Sequence, residues 1–186
     1  MNKVPVIIEA LCYIINKLHK LDKIHIVKMM YLADKYHLMN YGRTISGDDF
    51  FALPDGPAGS RTMDILGFDP YVLNEYTKQA MDFIKTSDGK EYFLNDKYLK
   101  TDVEMLSESD IESLDFTINN FGKMDVVNYT HNLAEWKQFE HLFNTKKTKR
   151  EAIKITDLLL NPNDQYFSIS EDHLKESHQI ATGSFE

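Results

Sequence analysis

The residues with chemistry to offer in this 186-residue chain are seven histidines, one cysteine and a crowd of polar groups between Tyr31 and Pro57. The histidines are His19, His25, His37, His131, His141, His173 and His178, and no two stand at the spacing of a zinc-binding HExxH helix. Asp34 and His37 lie three apart on one predicted helix, a geometry that supplies two ligands of a bundle-type metal site. No second helix carries a matching Glu-x-x-His, so hydrogen bonds between the pair or to nearby backbone are the favoured reading. A metal-dependent enzyme built on Asp34, His37 and His131 is carried as the weaker alternative; no metal and no cofactor are expected.

Nucleophilic chemistry has less to build on. Cys12 sits in an apolar run and reads as core, not as an activated thiolate. There is no GxSxG elbow, Walker loop or GxGxxG fingerprint. Gly56-Pro57-Ala58-Gly59-Ser60 is rich in glycine but lacks a phosphate-loop lysine, and reads as a tight turn feeding a helix. No catalytic residue is assigned, and the chain is not read as an enzyme. The run Lys146, Lys147, Lys149, Arg150 can contact phosphate, yet beside Glu151 on an acidic protein it reads as a solvated junction.

The polar crowd itself is the unusual feature. Tyr31, Asp34, Lys35, His37, Asn40, Tyr41, Arg43, Asp48, Asp49 and Asp55 gather around a helix end and glycine turns. Arg43 can tie the loop to the helix through Asp48 and Asp49. Either a structural clasp or a recognition surface fits these residues.

The elements that must hold them are mostly helical. A first helix over about Val4–Leu18 and a second from an Asp22 cap to a Gly42 stop form an antiparallel hairpin. Phe50–Leu53 reads as a short strand between two turns, Ser46–Asp49 and Pro54–Pro57, and Arg61–Leu66 as a short helix. A third main helix is expected over Pro70–Ile84, then a small hairpin across Ser87–Lys90. Ser107 with Asp110 marks a capping box opening a helix to Gly122, and Asp125 caps another that carries His131 and Trp136. A helical turn or two is expected at Ala152–Leu160 and a turn at Asn161–Asp164; the last stretch, Ser168–Glu186, has little periodic apolar content and its end is expected to fray. The fold class is therefore mainly α: a compact helical domain opening with a helical hairpin, with short strands in its loops.

A net charge of −8 with 42% hydrophobic residues describes one well-cored domain that repels phosphate, which disfavours nucleic acid as a partner. The single cysteine and the absence of a long apolar segment point to the cytoplasm and away from the membrane. Self-association is left open.

Two blocks of residues carry a family resemblance. The first runs Lys28-Met-Met-Tyr31-Leu-Ala-Asp34-Lys-Tyr-His37, Tyr41-Gly42-Arg43, Ile45-Ser-Gly47-Asp48-Asp-Phe50 and Ala52-Leu-Pro-Asp-Gly56-Pro57. The second is Asn128-Tyr-Thr130-His131 with Ala134-Glu-Trp136. Together they resemble the Panacea domain of SocA-like antitoxins over roughly residues 4–143, with 144–186 as a partly helical C-terminal extension. This chain departs at Asp55, where the family often has an aromatic or histidine, and at Ala58-Gly59.

The resemblance implies an antitoxin that neutralises a cognate toxin, encoded beside it, by direct contact. A SocA-like member instead delivers its toxin to the ClpXP protease, which is the alternative. Arg43, Asp48, Phe50 and Asp55 are then the expected toxin contacts, with Gly42, Gly47, Gly56 and Pro57 shaping the loop. Tyr31, Asp34, His37, Thr130, His131 and Trp136 are expected to be structural.

Overall fold

A computed structural model describes residues 2–96, 98, 104–160 and 164–184. Helix α1 spans Val4–Leu18 and α2 spans Lys23–Tyr41, joined through a two-residue strand β1, Leu21–Asp22. The Asp22 side chain accepts from the His25 backbone N–H, and Gly42 closes α2 in the left-handed conformation at φ 69°. Both caps stand where the sequence places them. Helix α2 is central: α1, a later helix α6 (Glu108–Phe121) and the last helix α10 (Glu171–Thr182) all pack against it.

Strands β2 (Phe50–Leu53) and β3 (Gly56–Gly59) form a hairpin whose turn is Pro54-Asp55. The expected turn over Pro54–Pro57 is thus half strand. Pro57 and Gly56 pair with Ala52 and Leu53 because the chain must reverse within two residues to bury β3. Strand β6 (Glu151–Ile153) joins the other side of β2, giving the order β3-β2-β6, where the sequence reading has helical turns. The 3-10 helix that follows, Ile155–Leu159, recovers part of that expectation.

After α3 (Ser60–Leu66), the expected single helix over Pro70–Ile84 is broken. It becomes α4 (Pro70–Leu73), a 3-10 turn at Asn74–Tyr76 and α5 (Thr77–Phe83). Asn74 takes a positive φ of 48°, which asparagine tolerates and which no continuous helix contains. Strands β4 (Ile84–Ser87) and β5 (Glu91–Leu94) form the expected hairpin, and β1 pairs with β5. Ser107 and Asp110 make the reciprocal capping box of α6.

The helix capped by Asp125 is also divided, into α7 (Val126–Thr130), α8 (Ala134–Lys137) and α9 (Glu140–Asn144). The tail differs most. In the stretch from Ser168, where the sequence shows little periodic apolar content, the chain forms α10, capped by Ser170 and ended by Gly183. Ser177 Oγ donates to the Met39 carbonyl and His173 Nε2 lies 2.9 Å from the Asn40 carbonyl, so α10 satisfies the open end of α2. Residues 161–163 of the expected turn and residues 185–186 lie outside the described residues. Among the described residues, no helix is long and apolar enough to cross a membrane.

Candidate functional site

Helix α2 carries an unusual load of buried polar side chains, and they reach several different segments. Asp34 accepts from the Ser46 backbone N–H at 2.9 Å and from Ser46 Oγ at 2.6 Å, pinning the loop after α2. Burial pushes its carboxyl up to about 7 against the opposing pull of those bonds. Lys35 Nζ donates to Glu135 Oε1 at 2.9 Å and to the Leu158 carbonyl at 2.6 Å. Tyr31 Oη donates to the same Glu135 oxygen at 2.9 Å. His37 Nδ1 lies 2.8 Å from the Arg43 carbonyl, and its Nε2 lies 3.0 Å from Ser109 Oγ and 3.1 Å from Asp110 Oδ1.

At the N-terminal half of α2, the target is the β2–β3 hairpin. Lys28 Nζ donates to the Pro57 carbonyl at 2.7 Å, satisfying the outer edge of β3. Trp136 Nε1 donates to the Leu53 carbonyl at 2.8 Å on the other arm. The His131 ring stacks on Trp136 with centroids 4.2 Å apart. Gly56, at φ 98°, lets the strand approach: a Cβ there would sit 2.8 Å from Lys28 Nζ and 3.0 Å from Thr130 Oγ1. The hairpin is thus held from both sides, with Pro54 and Asp55 exposed at its tip. Beside the tip lies a recess of about 120 Å³, walled by Ile24, Val27, Leu53, Ala58 and Met63 and rimmed by Lys23 and Asp55. Ile24 is 45% exposed at its mouth.

The other end of α2 is polar. Arg43 Nη2 donates to Ser107 Oγ at 3.2 Å and lies 3.1 Å from Asp110 Oδ1. Burial alone would raise the Asp110 carboxyl. The His37 and Ser107 hydrogen bonds and the Arg43 charge hold it well below the usual range. Lys28 and Gly42 stand fourteen residues apart on α2, which is about 21 Å of helix.

A family model described as "Antitoxin SocA-like, Panacea domain" matches residues 26–137, more than half of the chain. The chain belongs to this antitoxin family. No curated protein and no solved structure matches it. The matched span opens within the first turns of α2 and closes at the end of α8, so it encloses the hairpin and both residues that hold it, Lys28 and Trp136.

Within this Panacea domain, the four expected contact residues do not form one patch. Asp48 is only 8% exposed and caps α3: its oxygens accept from the backbone N–H groups of Asp49, Arg61 and Thr62 and from Thr62 Oγ1. Phe50 is buried edge-on to Tyr31, at 5.6 Å between ring centroids. Arg43 and Asp55 are exposed but belong to opposite ends of α2. The expected clasp of Arg43 with Asp48 and Asp49 does not form, since Arg43 turns to α6 instead.

Asp34 and His37 do not bond each other; their polar atoms go to Ser46 and to Arg43, Ser109 and Asp110. His131 sits instead by the hairpin, so the three residues of the metal alternative do not converge. Among the described residues no group of three His, Cys, Asp or Glu side chains is placed to hold a metal ion. Gly42, Gly47 and Gly56 all take positive φ, and Pro57 is buried in β3. Lys28 and Glu135 are not singled out in the sequence, and Lys35 only as one of the polar crowd, although all three stand inside the quoted family strings. Their signal is a charge placed among apolar neighbours.

Proposed function

We propose that this Panacea-domain protein is an antitoxin that neutralises a cognate toxin by direct contact, with the β2–β3 hairpin tip and the start of α2 as its docking face. The observation that carries this choice of face is the two-sided hold on the hairpin by Lys28 and Trp136. A tip fixed before binding loses little entropy on docking. Next to it the recess and the exposed Ile24 offer an apolar anchor point, ringed by charge. The net charge of −8 favours a basic partner and speeds its approach.

Co-expression of the protein with the product of the adjacent gene tests the reading. Toxicity of that product alone, relieved by this protein, is the expected result. Ile24→Asp and Asp55→Arg should each weaken neutralisation by about tenfold or more in dose, a loss of about 1.4 kcal/mol of binding, with the fold intact by circular dichroism. A harmless neighbour, or one that kills equally in its presence, contradicts the antitoxin reading. Toxin half-life separates masking from delivery to ClpXP: masking leaves it unchanged in cells with and without that protease.

A further inference from the structure

Beneath the hairpin tip lies a buried amine whose one hydrogen bond, among the described residues, goes to a neutral acceptor. Lys28 is 3% exposed, its nitrogen donates to one neutral acceptor, the Pro57 carbonyl, and among the described residues it forms no salt bridge. Lys28 lines the recess together with the aliphatic Ile24, Val27, Leu53, Ala58 and Met63, and Lys23 and Asp55 stand at its rim. Lys28 Nζ, Thr130 Oγ1 and His131 Cδ2 converge on one point, lying 2.8, 3.0 and 3.1 Å from where a Cβ on Gly56 would sit. His131 Nε2, bonded to that Cδ2, is buried and has no hydrogen-bond partner. A buried amine, an unfilled imidazole nitrogen and a recess with aliphatic walls form together surroundings in which a lysine becomes a nucleophile.

We propose that Lys28 is a carbonyl-reactive amine, and that the recess admits a short aliphatic aldehyde which this nitrogen captures as an imine. The nitrogen lone pair adds to the carbonyl carbon, forming C–N as the carbonyl π pair moves onto oxygen. A proton passes from nitrogen to that oxygen, with His131 Nε2 as the buried acceptor that takes and returns it. The carbinolamine then loses water as C=N forms, so one amine and one aldehyde give one imine and one water. No oxidant or reductant enters.

The charged groups facing the amine set its pH behaviour. Burial lowers the Lys28 ammonium to about 7, opposed by the Asp55 carboxylate at the rim. Burial and the Lys28 charge lower His131 as well. Lys23 stands at the mouth, itself lowered by burial and supported by Asp64. The free amine therefore predominates above about pH 7, and capture slows as pH falls through that value.

Reductive labelling of the full chain tests this without any toxin, so its failure and that of the antitoxin reading are separable. Limiting n-butanal with cyanoborohydride at pH 7, followed by peptide mapping, should label Lys28 about tenfold or more faster than Lys175, whose side chain is 72% exposed. The preference should vanish in denaturing urea, and Ile24→Trp, which fills the mouth, should slow Lys28 while leaving Lys175 unchanged. Labelling of Lys28 no faster than Lys175, a preference that survives urea, or indifference to Ile24→Trp would each overturn the assignment.

Discussion

Lys35 and Glu135 form an ion pair with side chains 1% and 0% exposed, one on α2 and the other a hundred residues later on α8. Taking two charges out of water is costly, and the cost is offset here by the Tyr31 hydroxyl, the Leu158 carbonyl and the Phe167 ring 5.5 Å from the ammonium. Removing one partner leaves the other charged and alone. Lys35→Met should therefore lose about 3–5 kcal/mol in urea unfolding, and adding Glu135→Leu should restore most of it. A second residue-scale outcome concerns pH. The Lys28 ammonium falls from its ordinary 10.5 to about 7 on folding, so between those values the unfolded chain binds more protons. Stability should rise from about pH 7 towards pH 10.5, and Lys28→Met should flatten that rise. Asp34 acts with the opposite sign: raised to about 7, it holds its proton in the folded state and withdraws stability as pH climbs from about 4 to 7. At this scale the sequence reveals which residues are special but not what they do. Tyr31, Asp34 and His37 are conspicuous as polar positions in an apolar helix, whereas their partners Glu135, Ser46 and Ser109 come from elements that only the fold brings near.

Helix α10 is the element on which the sequence and the structure differ most. Its apolar positions are sparse, and the residue it buries is Ser177, so no hydrophobic stripe announces it. It is held because α2 ends in carbonyls that need donors, and Ser177 and His173 supply two of them. Deleting residues 170–186 should cost at least about 1–3 kcal/mol on the two lost hydrogen bonds alone and speed amide exchange in the last turn of α2. Gly42→Ala strikes the same junction: it imposes a side chain at φ 69° and presses on Ile180. About 1–2 kcal/mol of destabilisation, read from thermal unfolding, is the expected result. By contrast the caps at Asp22, Ser107 and Asp125 are legible, because each acts within three residues of its own position. The breaks at Asn74 and after Thr130 are not, since a periodic apolar pattern continues across a change of direction.

At the scale of the molecule, α2 works as a spine that fastens a loop, a hairpin and the C-terminal segment by side chains it buries. The polar crowd, which by sequence fits a clasp or a recognition surface, is mostly this fastening. What remains exposed divides between a charged patch at Arg43 by the C-terminal end of α2 and a hairpin tip at Asp55 by its N-terminal half. The proposed docking face puts the toxin at the hairpin end. Hydrogen exchange of the protein with and without the adjacent gene's product bound tests that placement most directly. Protection centred on residues 23–28 and 53–58, with the amides around Arg43 and Ser107 unchanged, is the expected outcome. Protection at Arg43 and Ser107 with none at the hairpin would contradict it.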